Sequence, residues 1–81
     1  MIVRVRLFAA PGELAGATEV GVELPEGCIV AELRAELARQ VPALASVLPH
    51  CRFAVAADFA AETDVVPAGV EVACIPPVSG G

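Results

Sequence analysis

The chain has 81 residues, of which 57% are hydrophobic and 19% are charged, and this composition excludes intrinsic disorder and leaves room for one domain. Its formal net charge of -5 comes from ten acidic residues and five arginines without any lysine, a balance that does not favour nucleic-acid binding. The apolar runs are far shorter than the roughly 20 residues of a membrane-spanning helix. The opening MIVRVRLF lacks the apolar core of a signal peptide, so we expect a cytoplasmic protein.

The first quarter of the chain predicts two strands joined by a short connection. Residues 2–8 alternate apolar side chains with arginine, which is typical of a half-buried strand. Residues 9–17 contain one proline and two glycines and predict a loop, with one helical turn at 11–15. Residues 18–24 alternate again. The two strands are therefore expected to form a hairpin.

The strongest helix signal covers residues 29–40, where apolar residues recur at helical spacing and charged residues cover much of the remaining surface. Cys28 falls at the expected N-cap position, where serine or threonine would cap better and where a thiol pKa could be lowered. Pro42 ends the helix. A short helical turn over 43–48 is expected to follow.

The remaining chain predicts short strands. Residues 51–57 are expected to form a third strand and 59–62 a short fourth one. Residues 67–69 read Pro-Ala-Gly and predict a turn, and the last strand is expected at 70–75.

This order of elements favours an α+β fold with one main helix packed across a mixed sheet of four to five strands. The first and last strands are the most apolar, which predicts that they lie together in the centre of the sheet. That arrangement is the β-grasp, or ubiquitin-like, fold. We expect a β-grasp domain over 1–75 and an extended C-terminal tail over 76–81.

Cysteine and histidine give little support for catalysis inside this chain. Cys28, Cys51 and Cys74 are odd in number and lack a CxxC pair, which argues against a disulfide framework or a zinc site. His50 is expected on a solvated loop, and sequence adjacency to Cys51 does not make a catalytic pair. The sequence contains no phosphate-binding loop and no metal-ligand spacing. We therefore expect no metal site and no independent enzyme activity.

The last six residues, PPVSGG, carry the chemical signal. Pro76 and Pro77 stiffen the exit from the sheet and favour extended geometry. Gly80 and Gly81 end the chain without side chains, so the backbone can enter a narrow channel. Six extended residues reach at most about 20 Å. This tail is suited to presenting a carboxylate inside another protein, whereas the plainer alternative is a frayed chain end.

At its end the sequence resembles a known family, the small subunit of molybdopterin synthase (the MoaD family). Residues 70–81, VEVACIPPVSGG, are similar to the family's GDEVAFFPPVSGG. The opening LFAAPGELAG also matches the style of the family's start. The resemblance extends over the full chain, although its middle matches only as a helix pattern.

The resemblance implies a sulfur carrier that is not catalytic alone. An ATP-dependent adenylyltransferase/sulfurtransferase (the MoeB type) would adenylate Gly81, and sulfur would then replace AMP to give a thiocarboxylate next to the unhindered Gly80. The tail would deliver this sulfur to cyclic pyranopterin monophosphate in the large synthase subunit (the MoaE type), within a complex of two large and two small subunits. ATP is used by the activating enzyme, and no cofactor is expected on this chain. The residues expected to contact partners are Ile75, Pro76, Pro77, Val78 and Ser79.

The sequence departs from the family pattern at three places. Val70 stands where the family has aspartate in the turn before the last strand. Cys74 and Ile75 replace two phenylalanines. The family often carries asparagine in the third strand, and Ala56 or Ala57 stands near that position, which weakens any functional prediction there.

Ile75 is the candidate anchor for the large subunit. By strand parity it faces away from Val72, although an ordinary role in the sheet is an equal alternative. Replacement of phenylalanine by isoleucine changes the buried-surface energy by no more than roughly 1–2 kcal/mol, so binding would be altered rather than abolished. Phe8 or Phe59 could add to the same apolar surface.

Other functions stay open at the level of sequence. A sulfur carrier for thiamine or another thio-metabolite would also end in Gly-Gly, and tungsten and molybdenum pathways share the same pterin chemistry. A ubiquitin-type protein modifier is a different class, and the lack of lysine excludes only lysine-linked chains of this protein. A β-grasp interaction module with an inert tail is the third class.

Overall fold

The computed structural model describes residues 1–77, which form five strands, two α-helices and two 3₁₀ turns. The strands are β1 (Ile2–Leu7), β2 (Glu19–Glu23), β3 (Arg52–Val55), β4 (Asp58–Phe59) and β5 (Val72–Ile75). The helices are α1 (Ala10–Ala15) and α2 (Val30–Gln40), and the 3₁₀ turns are Pro42–Leu44 and Leu48–His50. Neither helix of this described part combines the length and apolar character needed to cross a membrane.

The strands form one mixed sheet in the order β2-β1-β5-β3-β4. β1 and β2 make the predicted antiparallel hairpin, and β5 lies parallel to β1 and antiparallel to β3. The first and last strands are therefore neighbours in the interior of the sheet, as their apolar sequences predict. β5 is paired with a strand on both sides, and Ile75 at its end is paired with Arg52 of β3.

One side of the sheet is covered by α2. The helix buries Val30, Leu33 and Leu37 at helical spacing, as the sequence predicts, and all three side chains are fully buried. They pack with the inward side chains of the central strands, among them Val5 and Val72. This layer is continuous across the domain, and its buried apolar members also include Val3, Leu7, Val22, Leu44, Leu48, Phe53 and Cys74.

The start of α2 differs from the prediction. Ile29, not Cys28, occupies the N-cap, and its backbone N–H donates to the Glu32 carboxylate at 2.9 Å. Cys28 is instead buried in the core, and burial, with a smaller contribution from Glu32, raises the pKa of its thiol. The lowered pKa that a helix N-terminus could give this thiol is therefore not found, because removal from water disfavours the charged thiolate.

The third strand is shorter than predicted. β3 ends at Val55, and Ala56 and Ala57 form a two-residue turn with φ of 50° and 73°. β4 then pairs Asp58 with Val55 and Phe59 with Ala54, in place of a strand over 59–62. Two positive φ angles are the property of the type I′ hairpin turn, which asparagine and glycine usually form. Alanine does not indicate a turn of this type, so the sequence pattern wrongly predicted that the third strand continues through residues 56 and 57.

Two further boundaries shift. The single helical turn expected over 43–48 is not formed, and this span is shared between the 3₁₀ turns Pro42–Leu44 and Leu48–His50, each with a proline in its first two positions. β5 begins at Val72 rather than at residue 70, and Gly69 has φ of 77° in the predicted turn before it.

Arg34 connects α2 to the two segments that precede β3 and follow β4. Its guanidinium donates to both Glu62 carboxylate oxygens at 2.9 and 2.8 Å, to the Cys51 carbonyl at 2.9 Å and to the Leu48 carbonyl. It also lies 4.9 Å from the centre of the Phe53 ring. These contacts fix the backbone immediately before β3.

Candidate functional site

The face of the sheet opposite α2 is not covered by any other element of residues 1–77. Along β1 the burial alternates strictly, so that the side chains at even positions point to this second face. The strand registers carry the same face across β5, β3 and β4. We call it the open face, and it comprises Ile2, Arg4, Arg6, Phe8, Glu19, Arg52, Ala54, Phe59, Glu71, Ala73 and Ile75.

Three apolar side chains that the sequence analysis named lie on the open face. Ile75 is half-buried and lies on the opposite side of β5 from the fully buried Val72, so the parity argument is confirmed. Phe8 and Phe59 are 43% and 55% exposed. Single exposed apolar residues are ordinary in proteins, but three on one sheet face form a surface that suits protein binding.

The open face also carries paired charges. Arg4 contacts Glu19 at 3.2 Å, and Arg6 contacts Glu71 at 3.5 Å. Both pairs are exposed, and such pairs add little to stability. Their effect is to balance the charge of this face, while Arg6 also lies 5.4 Å from the centre of the Phe8 ring.

The sequence analysis did not identify Arg52 as a candidate site residue. Its guanidinium lies 3.9 Å from the centre of the Phe59 ring, and Arg52 is the register partner of Ile75 across β3 and β5. Only the pairing register brings these residues together, so periodicity alone could not identify the cluster. A contact between a cation and an aromatic ring at an exposed site contributes about 0.5–1 kcal/mol.

The chain leaves the sheet at the edge of this cluster. Ile75 ends β5, after which Pro76 is half-buried and Pro77 is exposed. The remaining predicted site residues, Val78, Ser79, Gly80 and Gly81, lie outside the described residues. The predicted roles of all six tail residues therefore stay predictions.

The cysteines lie in the core rather than at a reactive surface. Cys28, Cys51 and Cys74 are all buried free thiols, whereas His50 is exposed. Burial, together with the neighbouring Cys51, raises the pKa of Cys74 to about 12. Cys74 is therefore a neutral core thiol at physiological pH, even though it precedes the tail by only two residues.

A five-stranded mixed sheet with one main helix on one face, and a C-terminal segment leaving its central strand, defines a ubiquitin-like β-grasp domain. Residues 5–81 match the ThiS family. A molybdopterin synthase sulfur carrier subunit from Chlamydomonas reinhardtii is 39% identical over 83 residues, covering 100% of both chains. The chain therefore belongs to the ThiS family.

Two further relatives extend this comparison. A molybdopterin synthase sulfur carrier subunit from Arabidopsis thaliana is 30% identical over 79 residues, which is 98% of this chain and 82% of that protein. The crystal structure of SAMP1 from Haloferax volcanii, a small archaeal modifier protein, superposes with a TM-score of 0.87 at 30% identity and covers 100% of both chains. The predicted β-grasp fold is confirmed by this likeness.

Proposed function

We propose that this chain is the sulfur carrier subunit of a molybdopterin synthase. The observation that carries the proposal is the 39% identity, across the whole of both chains, to the Chlamydomonas reinhardtii subunit of that name. In this role the chain is not an enzyme by itself. It supplies sulfur to a catalytic partner, the large synthase subunit.

The proposed chemistry takes place at the Gly81 carboxylate. A carboxylate is a poor electrophile, so an ATP-dependent activating enzyme first joins it to the α-phosphate of ATP and releases pyrophosphate. A sulfur nucleophile then attacks the acyl carbon, the bond to AMP breaks, and a thiocarboxylate forms. Neither Gly80 nor Gly81 has a side chain to hinder this attack. We further propose that the chain is activated in the cytoplasm, where ATP is available.

The fold supports this chemistry by holding the base of the tail. Ile75, at the end of β5, is paired with Arg52 of β3, and Pro76 restricts the backbone that follows. Residues 76–81, as the proposed tail, can extend at most about 20 Å from that point. The domain over 1–75 would stay at the surface of the large subunit while the thiocarboxylate reaches cyclic pyranopterin monophosphate inside it.

The open face is the proposed docking surface for the large subunit. Phe8, Phe59 and Ile75 lie on the same face of the sheet, and the tail continues from Ile75. Full burial of side chains of this kind contributes about 1.5–3 kcal/mol each, before the costs of association. A complex of two large and two small subunits is the assembly that we propose.

Intact-mass spectrometry tests the carrier chemistry directly. We expect incubation with ATP, a sulfur source and the activating enzyme to raise the mass by the difference between one sulfur and one oxygen atom. Deletion of Gly81, or addition of one alanine after it, should abolish the change without altering the fold. An unchanged wild-type mass, with an enzyme proven on another carrier, would contradict the proposal. Selective binding to a molybdopterin synthase large subunit would then separate the pterin pathway from a thiamine pathway.

A second candidate function is a protein modifier, favoured by the likeness to small archaeal modifier protein 1. In that case the activated Gly81 carbonyl would bond to a lysine amine of a target protein, with loss of AMP. Affinity purification of a tagged chain from its host under denaturing conditions distinguishes the two. A modifier yields covalent conjugates that disappear on deletion of Gly81, whereas a dedicated carrier yields the free chain and its thiocarboxylate.

A further inference from the structure

We propose that Arg52 determines partner specificity by pairing with a carboxylate of the large subunit beside the point where the tail enters it. This inference rests on the proposed function and adds the chemistry of the partner surface. It concerns a residue that touches the partner, not one that touches the reacting atoms.

The first observation is the ionic state of Arg52. Within residues 1–77, each of the other arginines lies within ion-pair distance of a carboxylate, and Arg52 does not. The chain has ten acidic residues and only five arginines, so the lack of an ion pair at Arg52 does not result from too few carboxylates. The side chain is exposed and rests on the Phe59 ring instead of on a carboxylate.

The second observation is its location. β3 lies between β5 and β4, so Arg52 has its register partner Ile75 on one side and the Phe59 ring on the other. The hydrogen bond from Arg34 to the Cys51 carbonyl, at 2.9 Å, holds the backbone immediately before it. The guanidinium is thus held at the centre of the apolar part of the proposed docking surface.

The third step follows from desolvation. A partner that covers Ile75 and Phe59 also removes water from the guanidinium between them. Leaving a charge buried without a partner is strongly unfavourable, so a complementary surface must provide an acceptor. A carboxylate is the best match, because it neutralises the charge and accepts two parallel N–H bonds from the guanidinium edge.

Binding of the full chain to the purified large subunit tests the inference. We expect Arg52→Gln to weaken binding at least about tenfold and Arg52→Glu to weaken it further, because each leaves a carboxylate of the partner unpaired. Arg52→Lys should recover only part of the affinity. The wild-type affinity should fall more steeply with salt than that of Arg52→Gln. Arg39→Gln and Arg39→Glu are the matched controls on α2, outside the open face, and should bind like wild type.

Ile75→Asp separates failure of this inference from failure of the docking surface. If Ile75→Asp abolishes binding while Arg52→Gln and Arg52→Glu bind within about twofold of wild type, the carboxylate pairing is wrong and the docking surface stands. If Ile75→Asp also binds like wild type, both the docking surface and the inference are overturned. Thermal unfolding of each variant shows whether its fold is intact.

Discussion

The two faces of the sheet differ in how completely the chain covers them. The α2 face is closed, and its central side chains Val5, Leu33 and Val72 are fully buried. The open face has the apolar residues Phe8 and Phe59 about half exposed, beside charges that are largely paired. The closed face maintains the fold, and the open face is available for partners.

This difference separates stability from recognition. Substitutions on the closed face should act on the free energy of unfolding, because they leave cavities in a packed layer. Substitutions on the open face should leave the fold intact and act on partner affinity. The chain continues into residues 76–81 from β5, which is paired with β1 and β3 in the interior of the sheet.

The largest expected effect is on the closed face. Leu33→Ala should lower the free energy of unfolding by about 2–5 kcal/mol, since the side chain is fully buried at the centre of α2. Chemical denaturation measures this loss. Leu14→Ala, the same change at an exposed position of α1, should cost much less. Equal losses in the two variants would contradict the assignment of the core to the α2 face.

The next effect concerns the contacts that close this face at its edge. Arg34→Met should lower the free energy of unfolding by about 1–3 kcal/mol, because the Leu48 and Cys51 carbonyls and Glu62 lose their common donor. Arg39→Met on the same helix removes only an exposed pair and should have little effect. If Arg39→Met lowers the free energy of unfolding as much as Arg34→Met does, the Arg34 hydrogen bonds do not explain the loss.

Part of the Arg34 effect should depend on pH. Hydrogen bonding to Arg34 holds the pKa of the Glu62 carboxyl below its ordinary value. A lowered folded-state pKa adds stability above the ordinary carboxyl pKa, and this stability is lost as the pH falls through the lowered value. Glu62 is half exposed, so the contribution is small. The difference in unfolding free energy between wild type and Arg34→Met should therefore shrink in acid, and a constant difference would contradict the coupling.

On the open face the expected effect moves from stability to binding. Phe59→Ala should weaken association with the large subunit by about 1–2 kcal/mol and change the unfolding free energy by less than about 1 kcal/mol. Calorimetric titration with the large subunit measures the first quantity. Val65→Ala is a matched control, since Val65 has the same 55% exposure but lies outside the open face. If both variants bind equally well, the open face is not the docking surface.

The smallest expected effect is on the stability of the turn between β3 and β4. Ala57→Gly should raise the free energy of unfolding by about 0.4–1 kcal/mol, because alanine is strained at φ of 73°. Ala35→Gly, at an exposed site within α2, should have the opposite sign, with a loss of about 0.5–1 kcal/mol. Thermal or denaturant unfolding measures the stability of both variants. If Ala57→Gly is not more stable than wild type, the left-handed turn is contradicted.

The sequence predicted the parts of the structure that follow from periodicity. The hairpin and the outward direction of Ile75 follow from side-chain alternation, and the apolar stripe of α2 follows from helical spacing. The central position of the first and last strands follows from their apolar content. All of these signals are visible in one chain. The turn at Ala56 and Ala57 was missed because alanine has no preference for positive φ. The N-cap was misplaced because a tertiary contact buries Cys28.

The candidate site was predicted only in part, for a similar reason. The tail and Ile75 are local features of the sequence, whereas the stack of Arg52 on Phe59 requires the register of β3, β4 and β5. Arg34 likewise connects residues that are 14 to 28 positions apart. Contacts between distant segments have no signature in the composition or spacing of a single chain.

The most direct test of the central claim is transfer of labelled sulfur from Gly81. The chain is prepared with an isotopically labelled thiocarboxylate and mixed with the large subunit and cyclic pyranopterin monophosphate. The account predicts that the label appears in the pterin product while the chain returns to the mass of the free carboxylate. A stable thiocarboxylate that forms the complex but transfers no label, in parallel with a competent small subunit that does, would contradict it.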